Sequence, residues 1–162
     1  MPRTRGEANR ALYRARILLE AWDRLRVEAR HAESVLIGAF VPAVRLHLRD
    51  AYGWFLLSVS GVDDSLAADL PGSTRDLPAP PAGKALIPEL AEFSQLENTG
   101  WLAQLLAGEP EAGYDGPVAA GRGASQGLLV SDREPLGYAV VLAWADALTA
   151  IMSRMDDSLA EY

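Results

Sequence analysis

Apolar residues recur at every third and fourth position along three long stretches of this chain, and this periodicity constrains the fold more than any other feature. The stretches cover residues 7–30, residues 34–61 and the segment from residue 131 nearly to the C-terminus. Because an α-helix has 3.6 residues per turn, such spacing puts the apolar side chains on one helix face. A single amphipathic helix is unstable alone and must bury that face against another. The pattern therefore predicts a helical bundle.

The second stretch has its own start, bend and end signals. Ser34 is the expected N-cap, and the helix should end near Gly61. Pro42 lies inside it, where the missing amide hydrogen and the ring predict a kink. The half after Asp50 is apolar on nearly every side. We expect this half to lie at the centre of the bundle.

Two short helices and one long helix are expected in the remainder of the chain. Pro88 suits the first turn of a third helix, and Thr99 is the expected N-cap of a fourth. Ser131 and Glu134 form a capping-box pattern followed by Pro135, so we expect the C-terminal helix to begin there.

Two segments without helical periodicity connect these helices. Residues 63–84 contain four prolines, and residues 108–130 are rich in glycine and alanine. We expect both to be surface loops. The sequence thus predicts one helical domain over residues 1–162, an all-α bundle of four to five helices with a kinked second helix and a long C-terminal helix.

The composition limits the cellular compartment of the protein and the kinds of reactive or metal site that it can form. Cysteine is absent, which excludes disulfides, thiolate zinc sites, iron–sulfur clusters and thiol nucleophiles. The first ten residues are polar, unlike a signal peptide. The nearly uncharged stretch 51–62 is short of the roughly 20 residues that cross a bilayer. These features predict a cytoplasmic protein with no membrane association.

Charge is unevenly distributed along the chain. Residues 1–50 hold 10 basic and 6 acidic residues, residues 51–162 hold 5 and 16, and the net charge is −7. This asymmetry favours two attracting faces of one bundle, or a docking surface, over nucleic-acid binding, because an acidic protein repels phosphates. The nucleic-acid alternative would use Arg10, Arg14, Arg24 and Arg49, and its binding would weaken steeply with salt.

One motif resembles a serine nucleophile elbow. Residues 123–127 match the GxSxG pattern, with Ser125 in the nucleophile position. No strand is predicted before it, and both histidines lie upstream, whereas that hydrolase order needs a downstream histidine. We therefore expect a glycine-rich loop, and the sequence predicts no catalytic residue.

Glu28 and His31 have the ExxH spacing that places a carboxylate and an imidazole on one helix face, as in di-iron bundles. His47 and Asp50 have the same spacing with a shorter acid. Such sites require further glutamates from facing helices. We therefore predict a solvated surface with no metal or cofactor, and these four residues are the candidates for the metal alternative.

A second alternative also uses the first two helices. Arg26 and His31 fit the Arg-x4-His spacing found in helical ribonucleases of the HEPN class, which use the pair to polarise a phosphate and to move a proton.

A third alternative is a ligand site between helices one and two, which would centre on Glu28, His31, Arg45 and His47. Convergence of these side chains on one pocket would favour it.

Four of the predicted helices carry one tryptophan each, on or near the apolar face. These are Trp22, Trp54, Trp101 and Trp144. Core packing is the expectation for such large side chains, and a groove for a partner helix or apolar ligand is the alternative.

Three segments resemble a known group of proteins: NRALYRARILLEAW, PELAEF with LENTGWLAQLL, and DALTAIMSRMDDSLAEY. They are similar to short helical proteins of gammaproteobacteria that form a domain of unknown function. The resemblance covers about two thirds of the chain. It implies an all-helical bacterial protein and assigns no site residue.

These observations together predict a non-enzymatic protein-interaction module. Its partner is expected to be another protein or a second copy of the chain, bound through an apolar or charged helix face.

Overall fold

The computed structural model describes residues 2–61, 69–78, 88–108 and 136–160. Its helices are α1 (Pro2–Glu28), α2 (Glu33–Ser60), α3 (Pro88–Asn98), α4 (Trp101–Leu106) and α5 (Tyr138–Ala160), with a 3₁₀ turn at Thr74–Asp76. Every regular element in these ranges is helical. Over these ranges the all-α prediction is confirmed, with five helices, of which the C-terminal one is long as predicted.

Helices α1 and α2 form a long antiparallel hairpin. Residues 29–32 connect them, so the chain reverses and the helices pack along their length. Ala29 has a left-handed backbone with φ of 52°, at the position after a helix where glycine is usual. Its amide donates to the Arg26 carbonyl at 3.2 Å, which closes the last turn of α1.

Apolar side chains from the five described helices form one core, which includes Trp22. The Trp22 indole stacks on Phe40 with ring centroids 5.7 Å apart and meets Tyr138 edge-on at 5.4 Å. Trp22 and Trp144 are buried, and Trp54 and Trp101 are half-buried against the same core. The predicted core role of the four tryptophans is confirmed.

Helix α2 agrees with the sequence at its end and differs at its start. Ala32 is the N-cap, without a side-chain hydrogen bond, so the prediction of Ser34 as the cap was wrong. Gly61 closes the helix in a left-handed conformation, with φ of 64°, as predicted. The half after Asp50 is buried as expected. The helix continues through Pro42, and the kink there stays a prediction.

The fourth and fifth helices begin differently from the prediction. Gly100, with φ of 93°, precedes α4, while the Thr99 hydroxyl donates to the Gln95 carbonyl at the end of α3. Helix α5 begins at Tyr138, and the carbonyl of Gly137 accepts its first hydrogen bond. Neither Thr99 nor Ser131 is therefore an N-cap of these helices. Residues 131–135 themselves lie outside the described ranges.

The apolar composition of α5 serves the core. Residues Tyr138–Met155, with a mean hydropathy of 1.2, are long and apolar enough to cross a bilayer. Trp144, Leu148 and Met152 are buried in the core, and the Asp146 carboxylate on the outer side binds Arg16 at 2.6 Å. A core helix shows such a composition without a membrane.

The two predicted loops are described only in part. Residues 62–68, 79–87 and 109–135 lie outside the described ranges, and with them the GxSxG motif at Ser125. The surface location of both loops and the single-domain boundary therefore stay predictions. Within residues 69–78 the chain forms the turn Thr74–Asp76, which packs beside α3.

Candidate interaction surface

The four candidate metal ligands do not form one site. Glu28 and His31 are exposed at the turn between α1 and α2. His47 and Asp50 lie near the middle of α2, about 20 Å along the helix from its first residue at 1.5 Å per residue. Within the described ranges, no three His, Asp or Glu side chains are placed to hold a metal ion.

Arg45 points away from the turn and into the bundle. Its guanidinium donates to the Gln104 carbonyl at 3.1 Å and lies 5.3 Å from the centre of the Trp144 ring. The side chain is buried, whereas Glu28 and His31 are exposed. The structure therefore does not bring the predicted ligand cluster between helices one and two into a common pocket.

The Arg26 guanidinium is engaged within α1 and with α5. It donates to Asp23 at 2.6 Å and lies over the Tyr138 ring at 4.8 Å. The hydrogen bond from Arg26 to Asp23 raises the pKa of Arg26. His31 is exposed in the turn. The spacing that resembles HEPN ribonucleases thus joins a paired arginine to a histidine on the surface.

Exposed apolar side chains lie on the outer faces of the α1–α2 hairpin. Among the described residues, the large ones are Tyr13, Ile17, Val27, Val35 and Leu46. On α2, exposed Val35, Ala39, Pro42 and Leu46 follow one another at intervals of four, three and four residues. This spacing places them on one face, opposite buried Leu48. We name these four residues the α2 stripe.

A groove lies at the C-terminal end of the α2 stripe. Its volume is about 400 Å³, and it is lined by Pro42, Arg45, Leu46, Arg49, Asp50, Leu70, Pro71 and Gly72. At 100° per residue, Arg45 and Arg49 lie on one side of Leu46 and Asp50 on the other. The groove therefore has an apolar floor, a basic edge and an acidic edge, and residues 70–72 close its end.

Gly53 lets residues 70–72 approach α2 closely. A Cβ atom at this position would lie 2.6 Å from the Pro71 carbonyl oxygen and 2.7 Å from Leu70 Cγ. Both distances are shorter than a Cβ atom makes to a non-bonded neighbour, so a side chain here would displace the segment. The end wall of the groove depends on this glycine.

Glu97 on α3 holds the same segment in place. Its carboxylate accepts hydrogen bonds from the Thr74 amide at 2.6 Å, the Thr74 hydroxyl at 2.6 Å and the Tyr52 hydroxyl at 2.8 Å. Burial, together with the hydrogen bond to Glu97, raises the pKa of Tyr52 well above its usual range. The Asp76 carboxylate also accepts from the Gly72 amide at 3.0 Å. Residues 72–76 are thereby tied to α2 and α3.

The basic edge of the groove is open to a ligand. Arg49 is exposed and makes no ion pair or hydrogen bond to a side chain within the described ranges. Arg45 lies one turn away, but its buried guanidinium is bound to the Gln104 carbonyl inside the bundle, so the positive charge presented at this edge is that of Arg49.

Sequence reasoning missed Gly53, Tyr52 and Glu97. A glycine inside the apolar half of α2 was the available signal, because glycine within a helix often marks close packing. Tyr52 and Glu97 carry no local signal, since they meet only through the tertiary fold.

The comparisons with known proteins supply no relative. No family model matches the chain, and searches of curated proteins and of solved structures find no match. The resemblance to gammaproteobacterial helical proteins therefore stays a prediction.

Proposed function

We propose that this chain is a soluble, cytoplasmic protein-interaction module that binds a helix of a partner protein along the α2 stripe. The observation that supports this function is the continuity of the stripe with the groove, which extends one apolar surface from Val35 to Pro71. Binding a helix on an apolar surface of this kind is a common mode of recognition.

The dimensions of the α2 stripe suit a helix. From Val35 to Leu46 it extends about 16 Å along α2, three turns of an α-helix. Ala39 and Pro42, in its centre, are small or flat and let a second helix approach closely. The partner helix would place its own apolar residues along this line.

Charge selects the orientation of the partner helix. The C-terminal end of a helix carries partial negative charge, and a carboxylate there adds to it. Exposed Arg49 would attract that end to the groove, while Glu33 lies at the opposite end of the stripe, where a helix N-terminus is favoured. We therefore assign the partner an amphipathic helix, parallel to α2, with a carboxylate near its C-terminal end.

Site-specific photo-cross-linking in cells tests this proposal. A photoreactive residue at Ala39 should trap one discrete partner protein. Its yield should fall about tenfold in the Leu46→Glu and Arg49→Glu backgrounds, because each change opposes an apolar or acidic contact. Ser153→Glu, on the exposed side of α5, is the matched control and should leave the yield unchanged.

A binding measurement with the trapped partner completes the test. A synthetic peptide of its cross-linked segment should be helical when bound and should lose affinity when its terminal carboxylates become amides. Absence of a discrete cross-link at Ala39, or equal yields in all three variants, would reject the α2 stripe as the docking surface.

A further inference from the structure

A second exposed stripe, on α1, has a pattern of its own. Tyr13, Ile17, Glu20, Arg24 and Val27 follow one another at intervals of four, three, four and three residues. All five are exposed, with Tyr13 at 67% and Val27 at 72%. This alternation is the repeat by which two helices pack along a common seam. We name these five residues the α1 stripe.

The α1 stripe has no partner within the described part of the chain. It lies on the side of α1 opposite to buried Ala15, Leu19 and Trp22. Glu20 and Arg24 make no hydrogen bond or ion pair there. Two apolar aliphatic residues and two opposite charges thus face solvent in a regular order.

We propose that the α1 stripe binds the α1 stripe of a second copy of this chain, with the two helices antiparallel about a two-fold axis near residue 22. In that register Ile17 lies opposite Val27 of the second copy, and Glu20 lies opposite Arg24 of the second copy. The two-fold axis repeats each pairing, so the stripe is complementary to itself. This inference goes beyond the proposed function, because it concerns another helix and another partner.

The charges decide the direction of pairing. A parallel pair in register would place Glu20 against Glu20 and Arg24 against Arg24, which are like charges. The antiparallel register forms two opposite-charge pairs instead. Electrostatics therefore favours the antiparallel arrangement and disfavours the parallel one.

One flank of the seam adds to the same complementarity. Exposed Arg14 is placed opposite Glu28 of the second copy, although the Glu28 carboxylate also lies 3.9 Å from Arg30 of its own chain. The half-buried Ala21 meets its own equivalent at the axis, where a small side chain permits close approach. On the other flank, Arg16 is hydrogen-bonded to Asp146 and Asp23 to Arg26 within their own chain. We therefore expect helix α1 of the second copy to pack closer to the Ala21 side of the seam than to the Arg16 side.

The length of the seam sets the strength of the dimer. From Tyr13 to Val27 it extends about 21 Å at 1.5 Å per residue. Such a seam is near the lower limit for a specific interface, roughly 1,000 Å² of total buried area. We therefore expect a reversible dimer with a micromolar dissociation constant.

Analytical ultracentrifugation of the full chain with two charge variants tests the pairing. Glu20→Arg places Arg against Arg24 of the second copy, and Arg24→Glu places Glu against Glu20. Each variant alone should dimerise at least about tenfold more weakly than the unchanged chain. An equimolar mixture of the two should form a heterodimer, because each arginine then faces a glutamate. The double variant should recover the homodimer for the same reason.

Two controls separate this proposal from the proposed function. Leu46→Glu, on α2, should leave dimerisation unchanged, and circular dichroism should show the same helicity in every variant. A chain that is monomeric up to millimolar concentration overturns the α1 pairing. So does a dimer that neither charge variant weakens, or a mixture of the two that stays monomeric. None of these results decides whether a partner helix binds the α2 stripe, which the cross-linking experiment tests separately.

Discussion

At the scale of single residues, Gly53 determines whether the groove is closed at its end. The site for a Cβ atom is occupied by the Pro71 carbonyl and by Leu70. Gly53→Ala should therefore lower the free energy of unfolding by about 1–3 kcal/mol, the usual cost of overpacking. Urea denaturation measures the change.

Gly38 offers the matched control on the same helix. It is exposed, and no atom lies within 4 Å of its Cβ position. Gly38→Ala should raise the free energy of unfolding by about 0.5–1 kcal/mol, because alanine favours the helix. Equal effects of the two substitutions would contradict the close approach at Gly53.

Tyr52 makes the free energy of unfolding decrease at alkaline pH. Burial and the bond to Glu97 raise the pKa of its phenol in the folded state. The unfolded chain loses this proton near pH 10, whereas the folded chain keeps it. The protonated Tyr52 phenol therefore contributes its full stabilisation below about pH 10. Above that pH, the free energy of unfolding falls by up to about 1.4 kcal/mol per pH unit.

Tyr52→Phe should remove this part of the pH dependence. Denaturation at a series of pH values between neutral and alkaline measures the slope. The variant should also lose about 1 kcal/mol at neutral pH, because Glu97 loses one donor. Tyr13→Phe, at an exposed ring, is the control and should keep the alkaline slope. An unchanged slope in Tyr52→Phe would contradict the assignment.

At the scale of elements, α2 tolerates a proline on its exposed face. Pro42 cannot donate to the Gly38 carbonyl, four residues earlier, and both residues face solvent. Pro42→Ala restores that donor and should raise the free energy of unfolding by about 1–2 kcal/mol, part of which the freer unfolded chain offsets. Thermal unfolding checks the direction, and a less stable variant would show that the proline is required for packing.

The presence of each helix was easier to predict than the residue at which it begins. The three-and-four spacing identified all five helices, and Gly61 was found because only a left-handed cap needs glycine there. The starts at Ser34 and Thr99 were wrong because a serine or threonine near a helix suggests a cap whether or not its hydroxyl is used for one. In the fold, Ala32 and Gly100 take these positions at α2 and α4. Helix α5 begins at Tyr138, and Ser131 lies outside the described ranges.

At the scale of the whole molecule, the architecture followed from the sequence and the candidate interaction surface did not. Trp22, Leu48 and Trp144 are buried, as the apolar periodicity predicts, and that periodicity can be seen in a short stretch of sequence. The groove depends on Pro71 meeting Gly53, a contact between distant residues that no local pattern records. Candidate ligands such as His31 and His47 were chosen by spacing along the chain, but His31 lies in the turn before α2 and His47 near the middle of that helix.

The two outer faces of the α1–α2 hairpin are separate, and this separation has a consequence for avidity. A dimer joined through α1 would present two α2 stripes related by its two-fold axis. A partner that carries two suitable helices would engage the second stripe at the effective concentration set by its linker, not at its concentration in solution. Such a dimer would discriminate between partners with one helix and partners with two, although each groove alone binds both equally.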